Sequence, residues 1–174
     1  MSKEQIRRAE LLTAVEQLQS DYPQVGEAFD LEDVKLSSPW QAISLGGDQC
    51  KLIAIAPELG IAVKRYLNPA LAKLVYEAYE AIRDTISETN FPLLMPLGLE
   101  GDTLIFPYFE TTAIKNEERR DEILNLALIL TDPVIPLKLH LAHRLNMLFL
   151  VDSKQLIYSD PFDDSIIALQ EALK

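Results

Sequence analysis

The residues able to do chemistry in this chain are few and spread along its length. They are one cysteine, Cys50, the histidines His140 and His143, the carboxylates Asp160, Asp163 and Asp164, the glycine pair Gly46-Gly47, and Lys64 at the end of an apolar triplet. A lone cysteine forms no intramolecular disulfide and completes no multi-cysteine zinc site, and its use suits a reducing compartment. His140 and His143 are three residues apart, so they share a face if that stretch is helical. Zinc still needs a third protein ligand, and Asp152, Asp160 or Cys50 would have to be recruited from a distance. No metal site is expected. Nucleophilic catalysis fares no better, because Cys50 lies in a strand-like run without an activating motif and Gly-x-Ser-x-Gly does not occur. The aspartates around Pro161-Phe162 have the character of a hard-cation site. Asp163 and Asp164 read more simply as the cap of a final helix, which leaves Asp160 open. Gly46-Gly47 would let a backbone approach phosphates. The run Gly46-Gly47-Asp48-Gln49 also has hairpin-turn composition, and an aspartate is a poor neighbour for a phosphate.

The chain around these residues has 174 amino acids with 16 basic and 27 acidic side chains, a formal charge of −11. Its length fits one domain, or one domain with an arm, and suffices to bury a core. An apolar fraction of 48% with 25% charged residues is globular composition. A pI near 4.6 argues against a duplex nucleic acid or an anionic membrane surface as partner. No apolar run approaches the ~18 residues of a membrane span. The opening MSKEQIRRAELL carries charges where a signal peptide would be apolar. These features set the expectation of a soluble, cytoplasmic, acidic protein.

Residues Ser2 to Asp21 predict an amphipathic helix with Leu11, Val15, Leu18 and Tyr22 on one stripe, ended by Pro23. Residues 1–34 are read as a helical arm that holds −5 of the charge. Either the arm packs on the domain by its stripe, or it docks into a partner or a second copy. Residues 35–174 are read as one α+β domain, divided into a sheet-plus-helix part, 35–110, and a helical and short-strand part, 111–174. Trp40–Leu45, Cys50–Ala56 and Ile61–Leu67 predict three strands of an antiparallel meander. Asn68-Pro69 opens a long helix with Leu71, Leu74, Val75, Ala78, Ile82 and Ile86 at helical spacing. Leu93–Leu99 and Thr103–Phe109 predict two more strands around Glu100-Gly101-Asp102. Glu110–Arg120 reads as a solvated connector, Glu122–Thr131 as a short helix, and Pro136 as the start of another. Met147–Val151 and Gln155–Tyr158 read as short strands, followed by a last helix toward Leu173. The fold class expected is α+β: an antiparallel sheet of about five strands with a packed long helix, an N-terminal helical arm and a small helical C-terminal part.

Three strands, a helix and two strands in that order, with Ile61-Ala62-Val63-Lys64 on the third strand, resemble the N-terminal lobe of protein kinases and their small-molecule phosphotransferase relatives. The resemblance implies that Lys64 is the lysine of the α/β-phosphates and that Glu77 or Glu80 is its ion-pair partner. Asn146-Met147-Leu148 and Leu156-Ile157-Tyr158-Ser159-Asp160 resemble the catalytic-loop asparagine and the metal-binding aspartate. The same comparison puts the catalytic-base position at Leu141, and leucine takes no proton. Gly46-Gly47-Asp48-Gln49 lacks the glycine-rich-loop spacing, Pro161-Phe162 stands where Phe-Gly would follow Asp160, and 14 residues follow Asp160. The resemblance therefore implies a truncated, degenerate, pseudokinase-like relative without the usual catalysis. The plainer reading of the same residues has Lys64-Arg65 snorkelling to the surface and Glu77 and Glu80 on a solvated helix face.

These observations predict a non-enzymatic acidic interaction or regulatory protein that binds a protein partner with a basic surface, with no catalytic residue and no resident cofactor. The alternatives are a minimal phosphotransferase using Mg-ATP through Lys64, Glu77, Asn146 and Asp160, and a small acidic chaperone for a secreted effector or toxin. Self-association as a homodimer stays open.

Overall fold

The structure, a computed structural model, describes residues 3–22, 30–45, 50–89, 92–112, 147–150 and 156–159. The chain divides into two compact units, one of residues 1–76 with 96–108 and one of residues 77–95 with 109–174. The fold is α+β, with a five-stranded antiparallel sheet.

The first unit holds helix α1 (Lys3–Asp21), strands β1 (Gln41–Ser44), β2 (Cys50–Ala56) and β3 (Ile61–Tyr66), the start of helix α2 (Pro69–Thr89), and strands β4 (Gly98–Glu100) and β5 (Thr103–Pro107). The sheet order is β1-β2-β3-β5-β4, with every neighbouring pair antiparallel. Tight turns explain most of this order. A 3-10 turn at Pro57–Leu59 leads into Gly60 at φ 68°, and Gly101 sits at φ 56° between β4 and β5. Both positions are left-handed backbone, where a Cβ would be strained.

Alternation along the strands sorts residues between two faces. The register aligns Ala54 with Val63 and Val63 with Ile105, and it aligns Leu52 with Arg65 and Arg65 with Thr103. Helix α1 covers this face, with Val15 and Leu18 at 0% exposure against Leu52, Ala54, Ala56, Ile61, Val63 and Ile105. Leu11 and Tyr22 pack against the same cluster, so the stripe expected from spacing is the stripe that is buried. Burial of Val15 and Leu18 contributes about 1.5–3 kcal/mol each. Ala14, Ala42, Ala54 and Ala56 keep the helix and sheet surfaces small where they meet. Trp40 fills the margin of this core, and its indole Nε1–H donates to the Ala14 carbonyl at 2.8 Å.

Helix α2 starts as its sequence dictates, with Asn68 Oδ1 accepting from the Leu71 N–H at 2.9 Å and Pro69 in the first turn. Leu71, Val75, Ala78, Tyr79, Ile82 and Ile86 are buried along it, while Lys73, Glu77, Glu80 and Asp84 are exposed. Within the second unit, β6 (Thr111–Thr112), β7 (Met147–Leu150) and β8 (Leu156–Tyr158) form an antiparallel sheet in that order.

Three elements differ from the expectation. Leu93–Leu99 is not one strand: Leu93 makes an isolated bridge and β4 begins only at Gly98. Pro96 has no N–H to give a ladder, which delays the pairing. Strand β5 ends at Pro107, short of Phe109, where its partner β3 begins at Ile61. Thr111-Thr112, expected in a solvated connector, instead pairs with β7, where β-branched residues suit an extended backbone. The expected helices at 122–131, from 136 and toward 173, and the turn at 46–49, lie outside the described residues. Among those residues, no helix is long and apolar enough to cross a membrane.

Candidate functional site

Lys64 lies on β3, opposite Ile53 of β2 and Leu104 of β5, on the sheet face away from α1. It is half-buried, and its ammonium stands 5.3 Å from the centre of the Tyr66 ring. Residues two apart on a strand share a face, and that distance is within cation–π range. Glu77 and Glu80 are exposed on α2, and Glu80 accepts hydrogen bonds from the Arg83 guanidinium one turn on. Asn146 and Asp160 lie outside the described residues, as do Leu141, His140, His143, Asp163, Asp164 and the Gly46-Gly47 pair. Cys50 is buried, with its Sγ 3.7 Å from the Leu52 carbonyl. Among the described residues, no group of three His, Cys, Asp or Glu side chains is placed to hold a metal ion.

Among the described residues, the most elaborate polar arrangement lies elsewhere, where the end of α1 meets the β4–β5 hairpin. Arg65 is 6% exposed rather than at the surface. Its Nε donates to both carboxylate oxygens of Asp102, at 3.0 and 2.9 Å. Its Nη1 donates to the carbonyls of Gln19, at 3.4 Å, and Tyr22. Those carbonyls lie in the last turn of α1 and just beyond it, where a cation complements the negative end of the helix dipole. Gln19 returns the contact: its Nε2 donates to the Glu100 carbonyl at 2.9 Å, to Thr103 Oγ1 at 3.0 Å and to Asp102 Oδ1 at 3.3 Å. Thr103 is fully buried and donates its hydroxyl to Asp102 Oδ1 at 2.9 Å. The Asp102 carbonyl accepts from the Tyr66 N–H at 2.8 Å. Each charged group here is answered by a partner, which is the condition for keeping such groups inside a fold. The arrangement is a clamp between α1 and the sheet.

Strand parity was the signal for Arg65, because Ile61, Val63 and Arg65 alternate with Ala62 and Lys64, and the first two are core residues. Gln19 and Thr103 carried no such signal in their sequence neighbourhood. A second tie fixes the same helix end: the Ser37 backbone N–H donates to Asp21 Oδ2 at 2.7 Å, and Gln17 Nε2 to Asp21 Oδ1 at 2.7 Å. The Ser37 bond first, and the Gln17 bond second, hold the Asp21 carboxyl below the usual carboxylate range.

The outward surface of the first unit has a different character. Glu10 and Glu16 on α1, Asp30, Glu32 and Asp33 at a 3-10 turn (Leu31–Asp33), and Glu58 beside Gly60 are all exposed. Arg7, Arg8, Lys35 and Lys73 are the exposed cations among the described residues of that unit, while Lys64 and Arg65 are turned to ring and carboxylate partners. The chain matches no known protein-family model and no curated protein.

Proposed function

We propose that this chain is a non-enzymatic, acidic protein-binding module whose partner presents a basic surface. The observation that carries the reading is the excess of exposed carboxylates over exposed cations on the first unit. Arg65 is neutralised by Asp102, and among the described residues of the first unit the exposed carboxylates of α1, Asp30, the Leu31–Asp33 turn and Glu58 outnumber the exposed cations Arg7, Arg8, Lys35 and Lys73. Such a surface steers a cationic protein toward it and contributes to association rate and partner choice more than to contact energy. Partners recovered on the full chain are expected to be basic and to associate more slowly as ionic strength rises from ~50 to ~300 mM. An association rate indifferent to salt refutes the reading. A small acidic chaperone for an exported effector or toxin is one version of this module, and a pseudokinase-like regulator is another.

A phosphotransferase is the second reading, favoured by the element order of three strands, a helix and two strands with Lys64 on the third. It expects a magnesium-dependent thermal stabilisation by ATP, about 2.7 kcal/mol at a hundredfold excess over Kd, that is lost in Lys64→Ala. Nucleotide that leaves the melting curve unchanged refutes it.

A further inference from the structure

The five-stranded sheet ends on one side at β1, whose partner among the described residues is β2 alone. An edge strand offers main-chain groups to any extended segment that reaches it, and folded proteins blunt such edges with charges, prolines or bulges. Here the edge is short and bulged but bears no charge. From Leu36 to Gly47 the chain has no charged residue, although a quarter of its residues are charged. The register with β2 slips between Ala42, opposite Ala54, and Ser44, opposite Ile53. Ile43 is thus the additional residue of a bulge and is 50% exposed. A bulge of this kind re-aims a side chain, and bulges are over-represented beside functional sites. At the other edge, β4 has three residues and carries Glu100.

The surroundings of β1 select the occupant. The 3-10 turn Leu31–Asp33 packs beside β1. It carries the exposed carboxylates of Asp30, Glu32 and Asp33, against one exposed lysine, Lys35. A second copy pairing through β1 would bring the same acidic turn and an uncharged edge, not a basic flank. A segment with lysine or arginine beside its strand would be drawn to these carboxylates instead.

We infer that the β1 edge at Gln41–Ile43 is the docking site for an extended segment of a protein partner, in which alternating apolar residues are flanked by lysine or arginine. The added strand would hydrogen-bond along β1, cover Ile43 with an apolar side chain and place its basic flank at Asp30, Glu32 and Asp33, the mode known as β-augmentation. This rests on the reading of the module as a binder of basic partners and names where and how it binds them.

The test selects displayed random dodecapeptides on the full chain, then follows amide hydrogen exchange with the selected peptides made synthetically. Alternating apolar sequences with Lys or Arg flanks are expected, and exchange at Gln41–Ile43 is expected to slow about tenfold. Ile43→Lys is expected to weaken the same peptides about tenfold, and Leu97→Lys, at an exposed residue beside the far edge, to leave them unchanged. Basic peptides that protect another surface overturn the β1 site and leave the acidic-module reading standing. Selected peptides without basic residues, or no selection at all, overturn both. Dimerisation of the chain through β1 overturns the assignment of the occupant.

Discussion

Removing the Asp102 carboxylate isolates the clamp between α1 and the sheet. In Asp102→Ala the Arg65 guanidinium, at 7% side-chain exposure, keeps its bonds to the Gln19 and Tyr22 carbonyls but loses its counter-charge. A buried ion left without its partner costs about 3–5 kcal/mol. The 14% exposure of Asp102 lets some water reach the vacated place, so the lower end, about 3 kcal/mol, is expected. Arg65→Ala removes the same ion pair and also strips the last turn of α1 of its cationic cap, so it is expected to cost at least as much. Asp102 then retains the Gln19 and Thr103 donors. In the double variant neither charge is stranded, and the total is expected to fall short of the sum of the singles by about 2 kcal/mol. Urea denaturation of the four proteins, followed by circular dichroism and by the fluorescence of Trp40, the sole tryptophan, supplies the cycle. Single costs under about 1 kcal/mol, or additivity within about 0.5 kcal/mol, would refute the view of Arg65 and Asp102 as one coupled unit.

Three further outcomes follow from the same geometry. Trp40→Phe keeps the ring in the core but removes the donor to the Ala14 carbonyl, and is expected to cost about 1 kcal/mol in the same urea experiment. Gly101→Ala forces a Cβ into left-handed backbone and to 3.3 Å from Gln19 Nε2, with an expected loss of about 1–2 kcal/mol; Gly98→Ala, where a Cβ has nothing within 4 Å, is expected to stay within about 0.5 kcal/mol of the parent. The Asp21 carboxyl is depressed in the fold, so its contribution is present above the unfolded value of about 3.9 and is lost as pH falls from there through the folded value. Asp21→Asn is expected to flatten stability against pH in that acid window and leave its shape near neutrality unchanged, read by urea midpoints at a series of pH values.

The amount of this fold that can be read from the sequence follows how locally each element is decided. Val15 and Leu18 declare themselves by helical spacing, Asn68-Pro69 by capping chemistry and Gly101 by turn chemistry, because each rule acts within a few residues. The strand expected from Leu93 failed at Pro96, which denies a donor, a cost that hydrophobic alternation does not register. The clamp was harder to see because its members come from residues 19, 65 and 102–103, and only the strand register brings them together. The Ile43 bulge is a property of a pairing, not of a segment. Among the residues singled out for chemistry, Lys64 and Glu77 are placed by the structure, on β3 and α2 respectively, and Asn146 and Asp160 lie outside the described residues.

The clamp also bears on how the protein is made. Gln19 and Asp102 are 83 residues apart in the chain, and a ribosome adds about 5–20 residues each second. Helix α1 therefore leaves the ribosome ahead of the β4–β5 hairpin and waits on the order of 4–17 s before the hairpin that secures its end has been synthesised. Throughout that interval the stripe of Leu11, Val15, Leu18 and Tyr22 has no finished sheet to cover it. During synthesis α1 thus presents an uncovered apolar stripe, and an encounter with a ribosome-bound chaperone is most useful before Thr103 is added.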